Sequence, residues 1–150
     1  ALQFDMEDRR VLDLFAGTGQ MGIECLSRGA VSAVFVDRRK DAAQLVKKNL
    51  DLTNLQDRAR VVNGDSLAFL AGTKERFDLV FLDPPYASGL LEQALEALTA
   101  PGFDILTPYG IIVAEHPADR RLAVPAGCRL RKTYRYGKIA VTLFCREGNE

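Results

Sequence analysis

The fold of this chain is decided by the stretch Val11-Leu12-Asp13-Leu14-Phe15-Ala16-Gly17-Thr18-Gly19-Gln20-Met21-Gly22. Its first half is an apolar run, typical of a parallel strand buried on both faces, and a glycine-rich turn then leads into a helical pattern. Gly17 and Gly19 permit a tight turn and let the backbone approach a ligand closely. Asp13 interrupts the run, and a buried carboxylate is costly unless a polar group meets it. The stretch therefore predicts a nucleotide-type site at the carboxyl end of a first strand.

Two classes of ligand compete for this turn. Residues 17–22 satisfy the G-x-G-x-x-G dinucleotide pattern, and Asp37 lies near the distance expected for a ribose-binding carboxylate. Asp13 argues against a dinucleotide, because an anion does not favour a pyrophosphate at a helix N-terminus. S-adenosylmethionine has an ammonium, a sulfonium and no phosphate, so an acid at this position suits it. The alternative is an Asp13 that is held only by backbone amides.

Composition favours one globular domain with a real core, because the chain has 150 residues and 47% of them are apolar. No run is long enough to cross a membrane and no signal peptide is visible, so we expect a cytoplasmic protein that does not bind membranes. The three cysteines are scattered, which argues against a disulfide framework or a zinc site. We expect no metal.

The charge balance is zero overall, but the segment 119–138 contains seven basic residues and one acid. Such a segment is either a patch that faces phosphates or the solvated side of edge strands protected by charges. The sequence leaves both interpretations open.

Strand and helix patterns alternate along the chain, which predicts a parallel sheet with right-handed crossovers. A closing hairpin adds antiparallel pairing at one edge. The predicted fold is therefore α/β, with a mostly parallel seven-stranded sheet and a C-terminal antiparallel hairpin. The pattern D-x-x-x-G-x-G, formed by Asp13, Gly17 and Gly19, resembles the first motif of Rossmann-like methyltransferases, and this resemblance implies that the domain has the class I methyltransferase fold, whose cofactor is S-adenosylmethionine. The predicted strands are residues 10–15, 33–37, 60–63, 77–82, 110–115, 128–136 and 139–146. The predicted helices cover residues 20–28, 40–52, 66–70 and the region around 91–98.

Four acids fall at or near the carboxyl ends of predicted strands, where ligands of such sheets bind. These acids are Asp13, Asp37, Asp65 and Asp83. Asp37 can accept hydrogen bonds from both ribose hydroxyls, and Asp65 can accept from the adenine amine. The turn amides from residues 16 to 19 can supply part of the donors that the cofactor's carboxylate needs, and Asp13 can hold its ammonium. The remaining predicted cofactor contacts are Phe15, Ala16, Gly17, Thr18, Gly19, Arg38 and Ser66.

The most specific motif is Asp83-Pro84-Pro85-Tyr86, directly after a predicted strand. Two prolines fix the backbone and remove two amide donors, which leaves carbonyls free to face a ligand. Asp83 and the carbonyl of Pro84 can accept both protons of an exocyclic amine, and Tyr86 offers a face for base stacking. We therefore assign residues 83–86 to catalysis. The alternative is a proline-rich turn between a strand and a helix.

These motifs resemble the RsmD family, the bacterial small-subunit ribosomal RNA guanine-N2 methyltransferases. The likeness lies in residues 13–19, in Arg28-Gly29-Ala30, in Asp65 and in the segment 77–86, and it extends to Glu115-His116 and the Tyr136-Gly137 hairpin. It implies S-adenosylmethionine as cofactor and 16S ribosomal RNA, or an assembly intermediate of the small subunit, as partner. Family members carry a further basic N-terminal segment that closes over the cofactor. We expect residues 1–150 to be a single methyltransferase domain without it.

Four other interpretations share parts of this pattern. A DNA adenine-N6 methyltransferase has the same motif order but needs a region that reads the major groove. A protein-glutamine methyltransferase usually has Asn in place of Asp83. An NAD-dependent enzyme leaves residues 83–86 unexplained. The fourth interpretation is a non-catalytic module that binds RNA, so that the chain is not an enzyme.

Overall fold

One seven-stranded sheet forms the centre of the computed structural model, which describes residues 5–85, 89–102 and 104–147. The strands are β1 (Arg10–Leu14), β2 (Ser32–Asp37), β3 (Ala59–Asn63), β4 (Phe77–Leu82), β5 (Leu106–Pro117), β6 (Cys128–Tyr136) and β7 (Ile139–Arg146). Their order across the sheet is β3-β2-β1-β4-β5-β7-β6. The first five pair in parallel, and β7 is antiparallel to both of its neighbours. The predicted fold is confirmed.

Helices cover both faces of the sheet. They are α1 (Gln20–Ser27), α2 (Lys40–Thr53), α3 (Ser66–Gly72) and α4 (Leu90–Thr99), and a short 3-10 turn covers Gln56–Arg58. Two buried clusters fill the two interfaces. One joins α1 and α2 to the sheet through Cys25 and Val46, and the other joins α3 and α4 through Leu70 and Leu95. Burial of apolar area on both faces is the main force that stabilises such a layered sheet.

β1 lies in the middle of the sheet because its side chains suit burial on both faces. Val11 contributes to one cluster and Leu12 to the other, and neither is exposed to solvent. The strand pairs with β2 on one side and β4 on the other. Chain order reverses at this point, so the edge above β1 and β4 is the switch point at which ligands of open α/β sheets bind.

Several boundaries differ from the sequence prediction, most of them by one or two residues, and the start of β5 differs most. β5 begins at Leu106 rather than at Gly110. Its first part was not predicted as a strand because it contains Pro108 and Gly110, and both residue types are rare inside strands. The pairing of β4 with β5 is irregular between Phe77 and Leu79, which accommodates this part. β1 ends at Leu14, one residue earlier than predicted. The hairpin strands β6 and β7 have the predicted bounds.

Candidate active site

A cavity of about 1200 Å³ lies along the carboxyl edge of the sheet. The four acids predicted from strand ends all line it. Twelve of the fourteen residues predicted for the site lie in its wall, namely Asp13, Phe15, Ala16, Gly17, Thr18, Asp37, Arg38, Asp65, Ser66, Asp83, Pro84 and Pro85. Gly19 is behind the wall, where it packs toward Val46 and Phe35. Tyr86 lies outside the described residues.

The turn after β1 has an unusual backbone. Phe15, with φ +66°, and Gly17, with φ +59°, both adopt the left-handed region, which is rare for a bulky residue such as Phe. Asn49 of α2 holds the same turn by donating from Nδ2 to the carbonyl of Thr18 at 2.9 Å. Such conformations persist where the surrounding structure imposes them, and they are common at ligand-binding turns.

The amides of this turn are used inside the protein, which corrects one prediction. Ala16 donates its N–H to the Val36 carbonyl at 2.9 Å, and Gly19 donates to the Ala16 carbonyl at 2.8 Å. The Gly17 N–H donates to Oδ2 of Asp37 at 2.9 Å. Three of the four predicted amide donors therefore already have partners within the protein, since backbone N–H groups removed from water need acceptors.

Asp37, at the end of β2, is held in one orientation. Besides the bond from Gly17, its Oδ1 accepts the backbone N–H of Arg39 at 2.9 Å, and the Arg39 Nε lies 3.7 Å away. The side chain is 12% exposed and lines the cavity. Each carboxylate oxygen can accept more than one hydrogen bond, so a fixed Asp37 can still receive two hydroxyl donors.

Asp13 is buried in the floor of the cavity, with 4% of its surface exposed. Its Oδ2 accepts the N–H of Gly22 at 3.1 Å. Burial, with a smaller contribution from the nearby charges of Asp83 and Asp37, raises the pKa of Asp13 to about 7 despite this bond. A cation in the cavity would relieve this crowding of negative charge, whereas a phosphate would add to it.

Asp65 also has a structural role, which we did not predict from the sequence. It is the N-cap of α3, and its Oδ2 accepts the N–H of Ala68 at 2.9 Å. This carboxylate is exposed and lines the cavity, while Ser66 beside it is buried. A cap and a ligand contact are compatible, because the two oxygens of one carboxylate can have different partners.

Asp83, Pro84 and Pro85 follow β4 and form the wall next to Asp13. Asp83 is exposed to the cavity and Pro84 is buried. Asp83 and Asp13 line the same cavity, and the charge of Asp83 contributes to the raised pKa of Asp13.

Glu115 is a site residue that we did not assign from the sequence. Its carboxyl is hydrogen-bonded to that of Asp83, and this bond and partial burial raise the pKa of Glu115 to about 7. It lies near the end of β5, one residue after the paired Leu82 and Ala114. The rule that found the four acids, an acid at a strand's carboxyl end, applies equally to Glu115.

The C-terminal hairpin also reaches the cavity. Tyr136 and Ile139 at its turn, and Val141 on β7, line the wall beyond Glu115. Pairing of Pro117 with Ile139 brings the hairpin turn to this edge. No spacing in the sequence indicates this approach, because it depends on which strand β7 pairs with.

Neither a metal centre nor a membrane span appears in the described part of the chain. Within it, no three His, Cys, Asp or Glu side chains are arranged to hold an ion, and no helix is long and apolar enough to cross a bilayer.

Comparison with known proteins places the chain in a family. The family model described as "Conserved hypothetical protein 95" matches residues 1–145. Ribosomal RNA small subunit methyltransferase D from Escherichia coli strain K12 is 36% identical over 141 residues, which cover 93% of this chain and 70% of that protein. The chain belongs to the RsmD family.

Solved structures agree with this assignment. A conserved protein from Streptococcus pyogenes is 34% identical to this RsmD-family chain, with a TM-score of 0.88 over 96% of this chain and 89% of that one. A ribosomal protein L11 methylase from Lactobacillus delbrueckii, 17% identical, shares the fold with a TM-score of 0.72, over 93% of this chain and 71% of that one. The fold is that of class I methyltransferases, and the predicted family and enzyme class are confirmed.

Proposed function

We propose that this chain transfers a methyl group from S-adenosylmethionine to the exocyclic N2 amine of a guanine in small-subunit ribosomal RNA. The observation that carries the proposal is a shared cavity. Asp13, Asp37 and Asp65, whose negative charges favour a cation, line it together with the Asp83–Pro85 segment. The printed name of the Escherichia coli relative, a ribosomal RNA small subunit methyltransferase, agrees with it.

The cavity is large enough for two ligands. Small-molecule pockets are roughly 300–1,000 Å³, and this one is about 1200 Å³. We assign the part above β1, β2 and β3 to the cofactor and call it the cofactor half. The part between β4, β5 and the hairpin then receives the target base, and we call it the target half.

The residues of the cofactor half fit S-adenosylmethionine. Asp37 is oriented to accept from ribose hydroxyls, and the free side of Asp65 can accept from the adenine amine. Asp13 offers a buried carboxyl whose ionised form the ammonium would stabilise. A pyrophosphate would meet the same charge unfavourably, which argues against NAD. When bound, the cofactor supplies an electrophilic methyl group.

The residues of the target half make the amine reactive and position it. An aromatic amine is a weak nucleophile, because its lone pair is delocalised into the ring. Asp83 is exposed to the cavity and can accept one N–H, and the Pro84 carbonyl can accept the other. Two acceptors favour a pyramidal nitrogen whose lone pair points toward the methyl group, and alignment of this kind contributes much of an enzymatic rate. Asp83 then accepts the proton that the methylated nitrogen loses.

The target half and the strand β6 beside it have features that suit an RNA substrate. A paired guanine must be turned out of its helix to enter the target half, and exposed basic side chains of β6 lie on the strand that ends at Tyr136. The partner is ribosomal RNA or an assembly intermediate of the small subunit. The cytoplasm is the compartment in which such a substrate is available.

Labelled cofactor tests this proposal when RNA, DNA and protein are compared as acceptors. We expect label in unmodified small-subunit RNA, and N2-methylguanosine after digestion to nucleosides. Label in N6-methyladenine of DNA would instead support the DNA methyltransferase. Label in none of the acceptors, with RNA still bound, would support a non-catalytic RNA-binding module. Tighter binding of NAD than of S-adenosylhomocysteine in calorimetry would overturn the cofactor assignment.

A further inference from the structure

The target half of the cavity contains a second carboxyl beside Asp83, and the methyl-transfer chemistry above does not use it. Glu115 lines the cavity and its carboxyl is hydrogen-bonded to the Asp83 carboxyl. It is half-buried on β5, with Val141 of β7 as its paired neighbour on the far side. Glu115 therefore lies between Val141 and Asp83, and its carboxyl faces the same cavity as the Asp83 carboxyl.

A carboxyl in this position can distinguish one nucleobase from another. The reacting amine alone does not distinguish guanine from adenine or cytosine, since all three carry an exocyclic NH2. The atom next to the amine does distinguish them. Guanine has an N1–H donor beside its 2-amine, whereas adenine and cytosine have a ring-nitrogen acceptor beside theirs.

We propose that Glu115 selects guanine by accepting its N1–H while Asp83 accepts from the neighbouring 2-amine. The inference rests on the proposed function, and it names the residue that chooses the base. Two adjacent carboxyl groups match two adjacent N–H donors, and the donors replace the proton that the carboxyl pair shares. That proton is released to solvent when guanine binds.

The charge state of the pair is compatible with this role. The pKa of Glu115 is about 7, because Asp83 accepts its proton and partial burial disfavours its charge. Near neutral pH the protonated and ionised forms are therefore close in free energy, and the donors of guanine can complete the ionisation. The shared hydrogen bond meanwhile keeps the pair together.

A base with an acceptor at this position is rejected for the converse reason. Its ring nitrogen would place a lone pair against the carboxylate, and both groups would lose hydrogen bonds to water without gaining a partner. Sites built to bind an N–H discriminate strongly against analogues that lack it, because their buried polar groups are left unpaired.

A substrate analogue provides the first test of this contact. The wild-type protein is first used to map the nucleotide that it methylates in small-subunit RNA. Synthetic fragments around that nucleotide then carry either guanine or 2-aminopurine, which keeps the 2-amine but lacks both the N1–H and the 6-oxygen, so variants of Glu115 are needed to assign the preference to the N1–H contact. We expect the wild type to prefer guanine in kcat/KM by on the order of 100-fold, the effect of one hydrogen bond to a charged group.

Variants assign that preference to a residue. In Glu115→Gln the amide can either accept or donate, so we expect the preference for guanine to fall below about 10-fold. Glu75→Gln is the matched control, because Glu75 pairs with Arg60 on the surface, 3.2 Å away and 46% exposed. This control should keep the wild-type preference. Calorimetry with S-adenosylhomocysteine verifies that each variant is folded.

The outcomes separate this inference from the proposed function. Equal turnover of guanine and 2-aminopurine by the wild type would overturn the role of Glu115 and leave guanine methylation standing. A Glu115→Gln variant that slows both substrates by the same factor would also overturn it. If the wild type methylates no guanine in any RNA, the proposed function fails and the inference fails with it. The wild-type comparison can overturn the inference even if Glu115→Gln does not fold.

Discussion

The backbone N–H of Gly17 donates a 2.9 Å hydrogen bond to Oδ2 of Asp37, and this bond ties the turn after β1 to the end of β2. The two residues are 20 positions apart in the chain. The carboxylate that we assign to the ribose therefore also fixes the turn that forms the cavity wall. Removal of Asp37 should affect cofactor binding both directly and through this turn.

Asp37→Ala is expected to weaken binding of S-adenosylhomocysteine by roughly 1.5–3 kcal/mol, the scale of hydrogen bonds to a charged group. Calorimetry measures the affinity directly. Asp51→Ala is the control, because Asp51 is an exposed aspartate on α2. An unchanged affinity in Asp37→Ala would remove Asp37 from the cofactor half.

Asp83→Ala separates chemistry from cofactor binding. Asp83 belongs to the target half, so we expect methyl transfer to fall to background while the affinity for S-adenosylhomocysteine changes little. Turnover with labelled cofactor and calorimetry on the same preparation give both quantities. If Asp83→Ala loses cofactor binding as fully as Asp37→Ala does, the division of the cavity into two halves is wrong.

The raised pKa of Asp13 should make the free energy of unfolding depend on pH. Burial raises its pKa from 3.8 to about 7 in the folded protein. Between these values the folded chain keeps a proton that the unfolded chain has released. The free energy of unfolding therefore falls as pH rises through this window, by at most on the order of 4 kcal/mol from this group, and levels off above about pH 7.

Asp13→Asn should remove this part of the slope, since an amide does not titrate there. Urea unfolding at pH 5, 6, 7 and 8 should show the variant gaining stability over the wild type as pH rises. Glu115, with its pKa also about 7, leaves a remaining slope of the same sign. Parallel pH profiles for wild type and Asp13→Asn would contradict a buried, proton-retaining Asp13.

Replacement of Gly22 on α1 by alanine is expected to destabilise the fold. A Cβ at this position would lie 2.4 Å from the Phe35 ring, which is completely buried in β2. Overpacking of this kind costs about 1–3 kcal/mol, which exceeds the roughly 1 kcal/mol that Ala gains over Gly in a helix. We expect Gly22→Ala to lower the free energy of unfolding in a urea titration.

Gly72→Ala is the matched control for this effect. Gly72 is the last residue of α3, and a Cβ there meets nothing within 4 Å. The substitution should leave stability unchanged or raise it by up to about 1 kcal/mol. Similar losses in both variants would mean that the approach of α1 to Phe35 is not what requires glycine at position 22.

Local patterns predicted those parts of the site that depend on one strand and its turn. Asp13, Asp37, Asp65 and Asp83 each lie at or near the carboxyl end of a recognisable strand, so the parallel topology alone brings them to one edge. Glu115 obeys the same rule, but its significance comes from the hydrogen bond to Asp83, which no spacing in the sequence reveals.

Contacts between distant segments could not be predicted in this way. The turn amides of Ala16 and Gly17 are donors in the sequence, yet their partners Val36 and Asp37 belong to another strand. Tyr136 reaches the cavity only because β7 pairs with β5 and carries the hairpin turn to that edge. Long-range pairing decides such contacts, and a single sequence does not display it.

The exposed basic residues of β6 lead to the final prediction, which separates the two interpretations that the sequence left open. Arg131 and Lys132 are exposed on this edge strand, and the Lys132 Nζ lies 4.7 Å from the centre of the Tyr134 ring. If the strand contacts RNA phosphates, the double variant Arg131→Ala/Lys132→Ala should bind small-subunit RNA more weakly. The slope of log affinity against log salt should decrease by up to about 2, near 0.9 for each lost phosphate contact.

Lys47→Ala/Lys48→Ala removes the same net charge from an exposed part of α2 and serves as the control. We expect it to leave the salt slope close to that of the wild type, because bound phosphates respond to local contacts more than to net charge. Equal losses in the two double variants would mean that β6 binds no phosphate. The charges of β6 would then serve to keep an edge strand from pairing with other chains, and greater aggregation of Arg131→Ala/Lys132→Ala would be the sign of it.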